Sequence, residues 1–195
     1  MRGLLVVFEG LDQSGKQTQA ERLRDRLTAA GRSVRLLSFP SYETHIGAEI
    51  GRALKGERDY AADTMQLLYV ANRFEWKPEI ERELARGTVV VCDRYLASSV
   101  AYGEAFGLDG QWLADIQRYL PQPDLTVLLD IEPQVSASRK TTDRDKYERD
   151  LALLARVRES YLRQAASPGW LRLDAGRDRD SVADDVHRAL EPLLE

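Results

Sequence analysis

VVFEGLDQSGKQTQ, residues 6–19, joins the end of an apolar run to a glycine-containing loop. The run from Leu4 to Phe8 is typical of a buried strand, and a helical pattern begins near Lys16. Between them, Gly10 to Lys16 has the G-x-x-x-x-G-K spacing of a phosphate loop. Glycines permit the tight turn in which backbone N–H groups and the start of the next helix bind phosphate oxygens. The spacing predicts a phosphate site, and the alternative is a plain turn between a strand and a helix.

The residue after Lys16 departs from the usual form of this loop. That position is usually Ser or Thr, whose hydroxyl binds magnesium, and here it is Gln17. Thr18 follows, but it faces elsewhere on a helix. We expect the backbone and Lys16 to bind phosphate without a direct hydroxyl ligand for the metal. The predicted contact residues of the loop are Gly10, Leu11, Asp12, Gln13, Ser14, Gly15, Lys16, Gln17 and Thr18.

Length and composition exclude several classes of protein. A chain of 195 residues suits one domain, residues 1–195, and a net charge of −4 argues against a general nucleic-acid binder. The single cysteine, Cys92, cannot form an intramolecular disulfide and lies in an apolar run. We see no stretch long enough to cross a membrane and no signal segment at the N-terminus. We therefore expect a cytoplasmic protein.

Apolar runs alternate with helical patterns along the chain. The runs predict strands at 4–8, 34–39, 88–92, 125–130 and 170–173. Helices are predicted at 19–30, 46–54, 61–84, 97–105, 112–119, 133–139, 151–165 and 182–194. The inward positions that we predict are Ala20, Leu23 and Leu27 on the first helix, and Leu67, Leu68, Val70 and Ala71 on the third. This alternation predicts an α/β fold with a parallel sheet covered by helices on both faces.

Polar and aromatic residues follow the predicted strands. Asp12 comes after the first strand, the segment 39–42 (FPSY) after the second, and Asp93 and Arg94 after the third. Each has a simpler explanation, since Pro40 can merely end a strand and Asp93-Arg94 can be a surface ion pair. Ligands of parallel α/β sheets bind at the carboxyl ends of the strands, however. The shared position of these residues favours a single functional site.

The motifs, taken together, resemble those of the thymidylate kinase family. They are Glu9-Gly10-Leu11-Asp12 with Gly15-Lys16, Phe39-Pro40, Ala71-Asn72-Arg73 with Asp93-Arg94-Tyr95, Ser98 with Ala101-Tyr102, and Tyr147-Glu148-Arg149. The resemblance spans nearly the whole chain. It implies a three-layer P-loop NTPase fold with a five-stranded parallel sheet, and phosphorylation of dTMP by ATP with Mg²⁺ on the way to dTTP. It also implies a homodimer, and the helices at 61–84 and 97–105 carry more apolar residues than one sheet face needs.

For the dTMP site, the resemblance implies ten residues. They are Asp12, Phe39, Pro40, Tyr42, Tyr69, Arg73, Arg94, Ser98, Ser99 and Tyr102. It places Asp12 on the sugar 3′-hydroxyl, Arg73 on the dTMP phosphate and Tyr69 against the base. Ser98 would meet the polar edge of the base, and Tyr102 would crowd the 2′ position of the sugar. The alternatives are an exposed loop carboxylate for Asp12, a solvated helix arginine for Arg73 and core positions for the aromatic residues.

For catalysis, the resemblance implies Asp12, Lys16, Arg94 and one further arginine. Members of the family carry that arginine either in the phosphate loop or in a lid, and Gln13 occupies the loop position here. The charged stretch at about 139–148 is the predicted lid, with Arg144 as the candidate; the alternative is a solvated loop. Arg139 would pack on the adenine of ATP, with Gly176 and Arg177 on its other side.

For the metal, Asp93 holds the position of the acidic residue that orients magnesium or its waters, with Glu9 as an outer-shell partner.

Two other functions remain open at this point. One is a P-loop kinase for another nucleotide or a nucleoside, against which Phe39-Pro40, Arg73 and Ser98 argue. The other is a non-catalytic nucleotide-binding regulator, which only Gln17 favours.

Overall fold

The computed structural model describes residues 2–139 and 150–194, and in these residues the chain forms five strands and eight helices. The strands are β1 (Leu5–Glu9), β2 (Val34–Ser38), β3 (Val89–Asp93), β4 (Leu125–Asp130) and β5 (Trp170–Asp174). The helices are α1 (Lys16–Ala29), α2 (His45–Leu54), α3 (Ala62–Ala85), α4 (Leu96–Ala105), α5 (Gly110–Asp115), α6 (Pro133–Arg139), α7 (Leu151–Gln164) and α8 (Arg179–Leu194).

The strands form one parallel sheet in the order β2-β3-β1-β4-β5. Strand β1 lies at the centre, with Val7 paired to Cys92 of β3 and to Thr126 of β4. Alternate residues of β1 enter different cores, because successive side chains of a strand point to opposite faces. Val6 and Phe8 pack in one hydrophobic cluster, and Leu5 and Val7 in the other. The predicted α/β fold with helices on both faces is confirmed.

Helix α1 is positioned by the loop that precedes it. Gly15 at the start of the helix has a φ of 92°, a backbone conformation that glycine adopts at little cost. As predicted, Ala20, Leu23 and Leu27 are buried, and they pack in the same cluster as Phe8. This packing fixes the first turn of α1, which begins at Lys16, next to the end of β1.

Three predictions about helices are wrong in detail. Helix α8 begins three residues earlier than predicted, because Asp178 accepts hydrogen bonds from the backbone N–H groups of Asp180 and Ser181. Helix α5 ends at Asp115 instead of residue 119, since the N–H groups of residues 117 and 118 bond three residues back and tighten the chain into turns.

The third wrong detail concerns α3. Leu67 was expected to face inward, but it is 47% exposed, and Leu68 and Ala71 are only partly buried. The buried face of α3 contains Met65 and Val70, and Leu67 lies on the other side of the helix.

Among the described residues, no helix has both the length and the apolar character that spanning a membrane requires.

Candidate active site

Two adjoining cavities lie at the carboxyl ends of β1, β2 and β3. The larger has a volume of about 470 Å³ and extends towards α2, α3, α4 and α7. The smaller, of about 270 Å³, lies over the phosphate loop. The residues that line both cavities are Asp12, Phe39, Pro40, Tyr42 and Arg94. All ten residues predicted for a dTMP site line the larger cavity.

The phosphate loop has the predicted turn. Gly10 has a φ of 140°, and a Cβ atom there would lie 2.4 Å from the carbonyl oxygen of Leu129, so a side chain would not fit. Gln13 also has a positive φ, of 60°. Gln13, Gly15, Lys16 and Gln17 line the smaller cavity. The loop therefore forms the floor of this cavity, where several backbone N–H groups converge.

Lys16 is nearly enclosed by its own loop. Its Nζ donates a hydrogen bond to the carbonyl oxygen of Leu11 at 2.8 Å, and the side chain is buried. Burial and the nearby charge of Arg94 lower the pKa of Lys16 to about 8. An anion in the smaller cavity would raise the pKa of Lys16 again, because an opposite charge favours the protonated ammonium form.

Arg94 stands at the junction of the two cavities. Its backbone φ is 64°, an uncommon conformation for a residue with a side chain. Its Nη2 donates to Oδ1 of Asp12 at 2.5 Å, and the guanidinium lies over the ring of Tyr102. Burial alone would raise the pKa of Asp12, but the charges of Arg94 and Lys16 outweigh it and lower the pKa to about 2. Asp12 is therefore ionised near neutral pH, and the alternative of an exposed loop carboxylate does not describe it.

Glu9 lies beneath Arg94 and is fully buried. Its Oε1 accepts from the backbone N–H groups of Tyr95 and Ser98, and its Oε2 accepts from the hydroxyls of Ser98 and Tyr161. These contacts do not support the predicted outer-shell metal role, since both oxygens are committed to protein donors. Ser98 lines the larger cavity, yet its hydroxyl already donates to Glu9 at 2.7 Å. The predicted contact of Ser98 with a base would require this hydroxyl to change its partner.

Arg73 lies deep in the larger cavity and does not line the smaller one. Its Nη1 donates to Oγ of Ser99 at 2.7 Å and to Oε1 of Gln117 at 3.1 Å. Its Nε is buried without a partner among the described residues, and burial lowers the pKa of the guanidinium. Arg94, and not Arg73, lines the cavity over the phosphate loop. The prediction that Arg73 binds a phosphate is therefore not favoured by its position.

Several residues of the larger cavity were not predicted. Gln66 and Met65 of α3, and Asp150 and Leu153 around the start of α7, line it. Gln66 could have been found, because residues 66, 69 and 73 share one face of α3 at helical spacing. Tyr161 and Gln117, which hold the arginines, carry no local signal, since they lie in distant parts of the chain.

Asp93 is the residue of the smaller cavity best suited to a cation. Its Oδ1 is buried and has no partner in the described part of the chain. Gln17 is exposed and donates to Glu21, one turn further along α1, at 2.9 Å. Within residues 2–139 and 150–194, no three histidine, cysteine or acidic side chains are grouped to hold a metal. The donor set fits a magnesium ion held by few protein ligands, as is usual for ions that arrive with phosphates.

The predicted adenine contacts lie beside the loop. Arg139 donates to the carbonyl oxygen of Gln13 and to that of Ala175, both at 3.0 Å. Gly176 and Arg177 follow at the end of β5, where the N–H of Gly176 donates to Asp174 and Arg177 pairs with Asp185. Arg144, like nearly all of the predicted lid, lies outside the described residues.

Comparisons with known proteins find the same family by sequence and by structure. The family model described as thymidylate kinase matches residues 8–186. A thymidylate kinase from Plasmodium falciparum is 36% identical over 95% of this chain and 88% of its own length. One from Homo sapiens is 34% identical over 99% of this chain and 92% of its own. The solved structure of a thymidylate kinase from Candida albicans has a TM-score of 0.88 and 29% identity, covering 100% of this chain and 94% of that one.

The chain belongs to the thymidylate kinase family. The resemblance seen in its motifs is thus confirmed, and so is the P-loop fold. Asp12 and Arg94 line both cavities. Membership disfavours the two other functions that the sequence left open.

The pKa of Lys16 gives a test of the smaller cavity. At about pH 8.5 a lysine with a pKa near 8 is mostly neutral, and a bound phosphate raises that pKa. We therefore predict that ATP binding takes up more protons at this pH than near pH 6.5, where Lys16 is already protonated. Calorimetry in buffers of different ionisation enthalpy measures the uptake.

Lys16→Met is the control, and it should abolish the uptake at pH 8.5. Binding enthalpies that do not depend on the buffer at pH 8.5 in the parent protein would show that Lys16 does not meet the phosphates.

Proposed function

We propose that this protein phosphorylates dTMP to dTDP, with ATP as the phosphate donor and Mg²⁺ as the cofactor. Family membership supports the reaction. The observation that carries the proposal is the junction at Arg94, where a cavity of small-molecule size opens onto the cavity of the phosphate loop. A nucleoside monophosphate in the larger cavity and a triphosphate in the smaller would meet there, phosphate to phosphate.

The reaction needs no covalent intermediate with the protein. An oxygen of the dTMP phosphate attacks the γ-phosphorus of ATP in line, the bond from that phosphorus to the β–γ bridging oxygen breaks, and ADP leaves. Lys16 exchanges its contact with Leu11 for phosphate oxygens, and Arg94 faces both phosphates from the junction. These cations stabilise the charge that develops between donor and acceptor. Burial strengthens their effect, because little water screens them.

The larger cavity suits a deoxynucleoside. The carboxylate of Asp12 can accept a hydrogen bond from the sugar 3′-hydroxyl, and Tyr102 stands beside it, with its hydroxyl 3.2 Å from Oδ2 of Asp12. Tyr69 offers a ring to the base. Arg73, with a buried Nε that lacks a partner among the described residues, can donate to a carbonyl oxygen of the base. A cytosine carries an amino group at one of the positions where thymine has a carbonyl, and an arginine cannot accept from it.

Asp93 would hold Mg²⁺ or its waters at the end of β3, and the metal supplies further charge neutralisation to the phosphates when bound. Gln17 leaves the loop without the usual hydroxyl ligand, so the phosphates themselves and water would complete the coordination. Arg139 would lie at the adenine, with Gly176 and Arg177 opposite. Arg144 remains the candidate for the arginine that the phosphate loop lacks at Gln13.

A twofold homodimer in the cytoplasm is the assembly and location that we infer. The exposed face of α3 supports the dimer, because Leu67 is 47% exposed there. A leucine at this position would be buried if the α3 helices of two copies packed together. The single buried cysteine is compatible with a reducing compartment.

A coupled assay of ADP release tests the function directly. We predict turnover with dTMP and ATP, and much lower turnover with UMP, dCMP and other monophosphates. Lys16→Met should fold normally, with an unchanged circular dichroism spectrum, and lose nearly all turnover. Equal rates with UMP and dTMP would contradict the proposed substrate, and a mutant rate within a few-fold of the parent would contradict the role of the phosphate loop.

The choice of sugar tests Tyr102. We predict that the parent prefers dTMP to ribothymidine 5′-monophosphate, which differs only in a 2′-hydroxyl, and that Tyr102→Ala lowers this preference by about tenfold. Tyr102→Phe is the matched control, because it keeps the ring that crowds the sugar and removes only the hydroxyl that contacts Asp12. The ratio of kcat/KM for the two substrates is the measurement. If Tyr102→Phe relaxed the preference as much as Tyr102→Ala, the hydroxyl and not the crowding ring would set it.

Light scattering at micromolar concentration tests the dimer. We predict a dimer for the parent and a monomer for Leu67→Glu, since a charge in an apolar interface is costly. Leu193→Glu is the matched control, because Leu193 is 43% exposed on α8 and should accept the charge without a change of mass. A monomeric parent protein would overturn the inference.

A further inference from the structure

Tyr161 contacts the catalytic machinery from a helix to which neither the motifs nor the proposed mechanism assigns a role. It lies on α7, far from the phosphate loop in sequence, and its side chain is almost fully buried. Its hydroxyl lies 3.0 Å from Oε2 of Glu9, 2.9 Å from Oγ of Ser98 and 3.2 Å from Nη1 of Arg94. A single hydroxyl thus touches a buried carboxylate, a second hydroxyl and the arginine at the junction of the two cavities.

The geometry of this cluster allows both hydroxyls to donate to Glu9. Oε2 of Glu9 has two hydroxyl neighbours, Ser98 at 2.7 Å and Tyr161 at 3.0 Å, and a carboxylate only accepts. Each hydroxyl has one proton, and burial raises the pKa of Tyr161 well above its usual range, so that proton stays in place. When both protons point to Glu9, the lone pairs of both hydroxyl oxygens are left for Nη1 of Arg94, which donates to them at 3.2 Å.

This arrangement differs from a direct ion pair. Nη2 of Arg94 pairs with Asp12, whereas Nη1 reaches Glu9 only through the two hydroxyls and also donates to the carbonyl oxygen of Gly10 at 3.1 Å. Three acceptors therefore surround Nη1, and none of them carries a formal charge. They fix the direction of the guanidinium at Nη1 and add no further negative charge to that of Asp12, which pairs with Nη2.

We propose that Tyr161 is a positioning residue for phosphoryl transfer, with its hydroxyl, oriented by Glu9, holding the guanidinium of Arg94 at the junction of the two cavities. The proposal rests on the catalytic role of Arg94 in the proposed function. A misplacement of about 1 Å in a group that stabilises a transition state can cost about a hundredfold in rate. A positioning role through Arg94 predicts a loss in kcat more than in KM, because the contact matters most when charge develops.

Tyr161→Phe is the first test, because it keeps the ring in the core and removes only the hydroxyl. We expect kcat to fall at least tenfold, while the KM for dTMP changes less than threefold. Tyr95→Phe is the matched control: Tyr95 is equally buried, and its hydroxyl has no partner among the described residues. The control should keep kcat within twofold of the parent. A kcat for Tyr161→Phe within twofold of the parent would overturn the proposal.

A double-mutant cycle separates positioning from a general loss of stability. If Tyr161 acts through Arg94, Tyr161→Phe should cost less than threefold in kcat when Arg94 is already replaced by lysine. The same tenfold loss in both backgrounds would show that Tyr161 acts independently, and would overturn the proposal. If Tyr161→Phe does not fold, Ser98→Ala serves as the second variant, because it removes the other hydroxyl that contacts Nη1 of Arg94. An unchanged kcat in Ser98→Ala would also overturn the proposal.

A crystal structure of Tyr161→Phe gives a readout that does not depend on activity. We expect the guanidinium of Arg94 to lie away from the carbonyl oxygen of Gly10, with the ring at position 161 unmoved. A guanidinium in its original place would overturn the proposal even if the rate had fallen. If the parent protein failed to phosphorylate dTMP, the proposed function would fall, and this comparison would still decide whether Tyr161 positions Arg94.

Discussion

The ion pair between Asp12 and Arg94 connects the end of β1 to the end of β3, and both cavities depend on it. Arg94 holds a left-handed backbone conformation, which costs on the order of 1–3 kcal/mol for a residue with a side chain. Its backbone N–H donates to the carbonyl oxygen of Phe8, so the strained residue is tied to the central strand. The parallel sheet makes this possible, because it brings the ends of non-consecutive strands side by side.

Three buried cations lie at this end of a chain whose net charge is −4, with Glu9, Asp12 and Asp93 close to Lys16. Lys16, Arg73 and Arg94 are all largely shielded from water, and burying an unpaired charge costs several kcal/mol. Of these three cations, only Arg94 has a carboxylate of the described residues within ion-pair distance; Lys16 and Arg73 donate to neutral acceptors. Such a site favours anionic ligands, whose phosphates offset the cost of burial. The site is therefore least stable when it is empty, which suits a protein that must bind and release polyanions.

The sequence predicted the parts of this site that local rules govern. Strand ends and the phosphate loop follow from periodicity and spacing, and each depends on neighbours within a few positions. The ten cavity residues were implied by the resemblance to the family. The wrong predictions concern residues whose positions depend on tertiary packing. Leu67 faces outward because tertiary packing buries the side of α3 that carries Met65 and Val70. Ser98 donates to Glu9, and Arg94 contacts Tyr161, because elements that are remote in sequence pack together, and no single sequence shows such contacts.

The two carboxylates near Arg94 differ in how close they come to the ligands. Asp12 lines both cavities and pairs directly with the guanidinium, where its charge can also meet a sugar hydroxyl. Glu9 lies one layer deeper, fully buried behind the hydroxyls of Ser98 and Tyr161. A direct ion pair with Glu9 would place another carboxylate against the guanidinium and offset more of its charge. With hydroxyls between them, Glu9 orients the guanidinium without a direct contact.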